Sequence, residues 1–173
     1  MNTKKRVAFL AGLMVAMALL GAATVLPALA QPVPIAVELL TPRSELPDKV
    51  SGQIKVKLDG TATDVINMKD LSRTAVARIT VQPNARFPWH THAGPVVVNI
   101  AEGELVYVSA DDCIERPYQA GEAFVDLGHG HVHSAFNRGS EPMVFYATFF
   151  QIAATGPLTL TEGISQTQCQ TGP

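Results

Sequence analysis

The chain has 173 residues, 47% of them hydrophobic and only 16% charged, which leaves room for one domain of ordinary size and excludes a disordered or fibrous composition. Its formal net charge of −2 excludes the basic surface that a nucleic-acid partner requires. Thirteen glycines and twelve prolines against 6% aromatics favour a loop-rich β domain over a helical bundle.

Residues 1–30 read as a leader. Lys4, Lys5 and Arg6 give a positive start, Val7 to Leu26 carries no charge, and Pro27-Ala28-Leu29-Ala30 offers a small-residue cleavage site ahead of Gln31. Those parts in that order make a secretory signal peptide. The apolar run of about twenty residues is also long enough to span a bilayer, so an uncleaved anchor in the membrane is the alternative. Either reading places the rest of the chain outside the cytoplasm, periplasmic or secreted, with no membrane contact once the leader is removed. From Gln31 onward there are ten basic and fifteen acidic residues, a net charge of −5, together with all five histidines and both cysteines.

Residues 31–52 form an extended lead-in, in which Pro32, Pro34, Pro42 and Pro47 surround one edge strand at Ile35–Leu40. The main domain is expected over residues 53–155. Gln53 to Leu58 alternates polar and apolar, the period of a half-buried strand, and ends in the turn Asp59-Gly60. Thr74–Val81 is a second strand, closed by Pro83-Asn84. Pro95–Ile100 is short and rich in valine, and Glu102-Gly103 turns it into Glu104–Val108. Pro117–Gly121 reads as a turn region before Ala123–Val125, and Val132–Asn137 and Met143–Ile152 are the last strands. Strands recurring every 8–12 residues between turn residues predict an antiparallel sandwich or barrel. Residues 156–173 form a polar C-terminal tail.

Cys113 and Cys169 are the only cysteines. In an oxidising compartment they are expected to pair, tying the tail to the domain; free thiols and metal ligation are the alternatives, and neither cysteine lies in a C-x-x-C.

The histidines fall in two short segments, His90 and His92 in one and His129, His131 and His133 in the other. Residues i and i+2 of a strand share a face, so each segment can send imidazoles into one interior, and imidazole suits zinc, copper, iron and nickel. The two segments resemble the two motifs of the cupin superfamily. The first motif is written G-x5-H-x-H-x3-4-E-x6-G, and here Asn84, His90, His92 and Gly103 fall at its spacing. Asn at the opening glycine is a mild change, because Asn tolerates the left-handed conformation. The second motif is G-x5-P-x-G-x2-H-x3-N, matched by Gly121, Gly130, His133 and Asn137 with one extra residue, and with Leu127 near the expected proline.

This resemblance implies an all-β, single-domain cupin fold, a double-sheet β-barrel of the jelly-roll type. It assigns His90, His92 and His133 as ligands of a divalent metal ion: iron, manganese, zinc, nickel or copper. Val96 stands where the motif has its ligating Glu, which leaves three histidines and open coordination positions of the kind metal catalysis uses. It also leaves the alternative of a site that binds metal weakly or not at all. His131 is either a fourth ligand or a residue of the mouth, and His129, between glycines, faces solvent. Trp89 and Arg86 are read as rim packing and a solvated charge, and Asn137 as a stabiliser of the barrel turn. If Val96, Val98 and Ile100 continue the register of the histidines, the pocket is apolar and suits a small, apolar or aromatic molecule. A bulge at Gly94-Pro95 would break that register. Two functions compete: a metal-dependent enzyme, an oxygenase above all, and a binding or sensing module without turnover. Cupins also resemble one another in pairing as homodimers.

Overall fold

A computed structural model describes residues 32–169, so the leader expected at residues 1–30 lies outside the described residues. These residues hold eleven strands and no helix. In chain order they are β1 Ile35–Leu39, β2 Ser44–Glu45, β3 Gly52–Val56, β4 Asp64–Met68, β5 Arg73–Val81, β6 Val96–Glu102, β7 Glu104–Ser109, β8 Glu115–Gln119, β9 Ala123–Asp126, β10 His133–Phe136 and β11 Met143–Phe150.

The alternation in the sequence decides the layers. In β5, Ala75, Ala77, Ile79 and Val81 are buried while the residues between them are half-buried, the period-2 pattern of a strand with one face on a core. β5 runs antiparallel between β1 and β11, with β2 beside its start, and β11 continues to β6 and β9. A second sheet has the order β10-β7-β8, and β3 pairs with β4 as a separate hairpin. One apolar cluster joins Ile79, Val98, Phe145 and Phe149 of the first sheet to Leu105, Tyr107 and Ala135 of the second.

Pro117–Gly121, expected to be a turn, is mostly strand β8, with Pro117 opposite Val106. Proline cannot donate to a ladder, but β8 pairs with β7 alone, and an edge strand has a free side to spare. The turn itself is shorter and centres on Gly121, whose φ is 91°. Val132–Asn137 shortens to His133–Phe136, preceded by a turn in which Gly128-His129-Gly130 all take positive φ and the His131 N–H bonds the Gly128 carbonyl. Val96, Val98 and Ile100 do point inward, even though the chain bends at Gly94. The segment 158–169 returns to the domain: Thr91 and Leu160 bond each other's backbones at 3.0 and 2.9 Å, and a Cys113–Cys169 disulfide fixes its end.

Candidate metal centre

Backbone pairing brings the histidines together. His90 and His133 lie opposite each other in an antiparallel bridge, each N–H donating to the other's carbonyl at 2.9 Å. Residues paired in this way put their side chains on one face, and His92, two positions on, follows. Ring centroids are 4.1 Å apart for His90 and His133, 4.9 Å for His90 and His92, and 5.3 Å for His92 and His133. One nitrogen from each ring lies within 4.8 Å of the other two. All three side chains are buried.

Hydrogen bonds to carbonyls set two of the tautomers. His90 Nδ1 is 2.6 Å from the Pro88 carbonyl, and His92 Nδ1 is 2.7 Å from that of Leu158. A carbonyl only accepts, so each Nδ1 carries the proton and each Nε2 keeps its lone pair, the arrangement in which imidazoles are held for a metal. His133 differs. Its Nδ1 is buried without a partner, and its Nε2 lies 2.8 Å from Asp126 Oδ2.

Asp126 is the residue that sequence reasoning missed. It ends β9 and is 2% exposed. Oδ1 accepts the Gly128 N–H at 2.9 Å, and Oδ2 also lies 3.3 Å from His92 Nε2. Its ion-pair partners are the two histidines, with no lysine or arginine among them. In the β6–β9 register, Asp126 is the direct partner of Val96, the residue standing where the motif's Glu is absent. A signal was present: in Ala123-Phe124-Val125-Asp126 the acid shares the face of Phe124, a charge on the inward side of an apolar strand.

The electrostatics suit cation binding. Burial, then the neighbouring His133 and His92, lowers the pKa of His90 from 6.5 to about 3, so it is neutral at pH 7. Burial alone would raise the Asp126 carboxyl, but His133 and His92 outweigh it and hold it below its ordinary value, hence ionised. The His90 Nε2 lone pair, the His92 and His133 Nε2 atoms gathered beside Asp126 Oδ2, and that buried carboxylate fit a divalent ion.

The centre forms one end of a cavity of about 90 Å³. Val98, Phe124, Phe145 and Phe149 line the remainder, and Leu158 and Thr159 reach it from the returning tail. The Tyr107 ring stacks on that of His133 at 5.2 Å. Gln166 grips the backbone of Trp89 on both sides, accepting its N–H at 2.8 Å and donating to its carbonyl at 2.9 Å. Trp89 is buried against Val106 and Val108, while exposed Arg86 lies 3.8 Å above the Phe136 ring.

His131 does not join the three. It precedes β10 in the turn after Gly128, and its Nδ1 is 3.1 Å from Asp111. The shared-face argument fails for it because the chain is not extended there. His129, expected to face solvent, is exposed and pairs with Gln151 at 2.8 Å. Asn137 is buried, its amide donating to the carbonyls of Val81 and Glu141 and accepting from the Gly139 N–H, which closes the turn between β10 and β11.

Comparison with solved structures finds a polyketide cyclase, RemF from Streptomyces resistomycificus, at 19% identity and a TM-score of 0.45, covering 54% of this chain and 63% of that one. A sugar phosphate isomerase from Silicibacter pomeroyi matches at 26% identity and a TM-score of 0.41, over 47% of this chain and 52% of that one. The Cupin_2 domain of an XRE family transcriptional regulator from Enterobacter cloacae matches at 16% identity and a TM-score of 0.46, over 70% of this chain and 99% of that one. The chain thus spans between half and two-thirds of the cyclase and isomerase chains. No curated protein sequence matches. The family model for the cupin domain (Cupin_2) matches residues 77–149, the stretch that carries all three buried histidines and Asp126, and supports the cupin superfamily for that stretch.

Proposed function

We propose that this chain is an exported cupin in which His90, His92 and His133 hold one divalent metal ion, and that it acts as a metal-dependent enzyme of oxygenase type on a small apolar or aromatic molecule. The observation that carries the reading is the convergence of three buried imidazoles, two of them locked at Nδ1 by backbone carbonyls. Bound iron, manganese, zinc, nickel or copper would supply Lewis acidity, and the redox-active ions electron transfer to oxygen. The protein's own part is shape and exclusion of water. Phe124, Phe145, Phe149 and Val98 form an apolar wall facing the histidines, so an apolar substrate would be held against the metal centre by burial of its surface. We read the two sheets as the walls of a jelly-roll barrel around that cavity, supported by the residues each contributes to its lining. Export is supported by the disulfide, a bond of oxidising compartments.

One observation favours the second reading, a binding module without turnover. Among the described residues Asp126 is the only carboxylate lining the cavity, and His92, His133 and the Gly128 N–H all lie against it, so none of them leaves a free acid or base beside a ligand.

The deciding experiment expresses the full chain with export, purifies it without affinity-tag histidines, and measures metal per protein beside a His90→Ala/His133→Ala variant. About one ion per chain, absent from the variant, supports the site. No ion after reconstitution with the five metals overturns it. Metal-dependent oxygen uptake with apolar candidate substrates then supports the enzyme, whereas ligand-dependent thermal stabilisation without product supports the binder. The family resemblance also implies a homodimer, which sedimentation measures directly.

A further inference from the structure

We infer that Asp126 is a fourth protein ligand of this metal site, supplying from β9 the carboxylate that the first cupin motif would place at Val96. The inference rests on the three-histidine reading and adds to it a residue outside both motifs' ligand positions.

Position comes first. Val96 and Asp126 are direct partners across the β6–β9 ladder, and such partners have Cβ atoms about 4.5–5.5 Å apart. A carboxylate leaving one position can therefore be replaced from the other without moving the backbone. Distance comes second. Two donors each about 2.1 Å from one ion lie roughly 3.0–3.4 Å apart in octahedral or tetrahedral arrangements. Asp126 Oδ2 lies 2.8 Å from His133 Nε2 and 3.3 Å from His92 Nε2, close to the separation of ligands on a shared ion. Charge comes third. A carboxyl group that is 2% exposed is costly to bury unless it is well paired, and its partners are imidazoles alone. Three neutral imidazoles, for their part, would leave a divalent ion's charge uncompensated in an apolar cavity. Each requirement answers the other.

The donor set becomes three nitrogens and one carboxylate oxygen. An oxygen donor moves preference away from soft ions such as Cu(I) and toward divalent manganese, iron and zinc.

The test strips the full chain of metal and titrates it with Co²⁺, reading affinity by chelator competition and coordination by the visible ligand-field spectrum. Variants are Asp126→Asn, Asp126→Ala with Val96→Glu, and His90→Ala, each checked for folding by circular dichroism. Asp126→Asn is expected to weaken Co²⁺ binding by more than the ~10–100-fold that an outer-shell partner costs, with an altered spectrum. The Val96→Glu double variant is expected to recover much of the affinity. In wild type carrying carboxyl-labelled aspartate, the infrared difference between metal-bound and metal-free protein should show an aspartate band shifting, a readout that needs no variant to fold. Asp126→Asn binding within about threefold of wild type with an unchanged spectrum, or no aspartate shift, would overturn the inference and leave the three histidines standing. A wild-type chain that binds no Co²⁺ overturns both readings.

Discussion

Removal of the disulfide by Cys113→Ser/Cys169→Ser tests how the returning tail is held. The bridge closes a sequence separation of 56 residues, for which the chain-entropy model gives about 4 kcal/mol. For a domain of this size, each kcal/mol is about 3–5 °C in Tm, so the double variant should melt roughly 12–20 °C lower. Most of that loss lies in the unfolded chain, because the tail keeps other attachments: the Leu160–Thr91 bonds, Gln166 on the backbone of Trp89, and Ile164 against the Trp89 cluster. Metal affinity should therefore fall less than stability does. Its loss is bounded by the ~10–100-fold expected if the Leu158 carbonyl let go of His92 Nδ1 altogether. Thermal melts with and without reductant, run beside Co²⁺ titrations, read both quantities, and reduced wild type should match the double variant. A variant melting within 3 °C of wild type would refute the reasoning, since it would mean that the bridge restrains nothing the unfolded chain would otherwise explore.

Metal-free protein should be acid-labile. His90 titrates at about 3 in the folded chain against 6.5 ordinarily, so its neutral form stabilises the fold above pH 6.5, and that stability drains as pH falls from 6.5 toward 3 at up to about 1.4 kcal/mol per pH unit. Asp126, also lowered, adds a loss in the same direction below the ordinary carboxylate range. Urea midpoints from pH 8 to pH 4 measure this, and a flat profile between 7 and 5 contradicts it. Gly128→Ala should cost more than about 2 kcal/mol, because an added Cβ would sit 2.0 Å from the Gly94 carbonyl oxygen at a φ of 57°; chemical denaturation gives the value, and a change under about 0.5 kcal/mol rejects the close approach of those loops. Val98→Phe should fill the cavity beyond the histidines while leaving Co²⁺ binding intact. Thermal shifts with apolar ligands should then vanish, and their persistence would place the ligand elsewhere.

What could be read from the sequence was what local chemistry specifies. The alternation in β5, the valines of β6 and the spacing of His90, His92 and His133 each depend on residues a few positions apart, and all three lead to the buried face. What could not be read depends on pairing between distant segments. The sequence around Pro117 carries every sign of a turn, and only the position of β8 at a sheet edge makes proline acceptable there. His131 fits the alternation with His133 on paper, but its N–H closes a turn on the Gly128 carbonyl and the strand begins only at His133. The tail looked like a polar appendage, yet Leu158 fixes the tautomer of a site histidine 66 residues away, and nothing near Leu158 announces that except the cysteine at the far end of the segment.

Asp126 shows the physical reason most plainly. A motif records ligands by their order along one strand, whereas a metal ion responds only to where donor atoms are in space. In an antiparallel pair, the residue opposite is as near as the residue two positions along. A ligand can thus pass from one strand to its partner while the donor set is kept. On the inference above, the acid stands at the β9 position facing Val96 and not at Val96 itself, and it is an Asp, one methylene shorter than the motif's Glu. Its inward orientation is enforced by the same ladder that buries Phe124 two residues before it. A valine in β6 then meets the apolar cavity, where a Glu left in addition to Asp126 would set two carboxylates against each other and raise the cost of burying either. Val96→Glu should for that reason be tolerated in the absence of Asp126 better than in its presence. Metal-free melts of Val96→Glu with and without Asp126→Ala measure this directly: a smaller destabilisation in the double variant than in the single one is the expected coupling, and strictly additive losses would dissolve the link between the two positions.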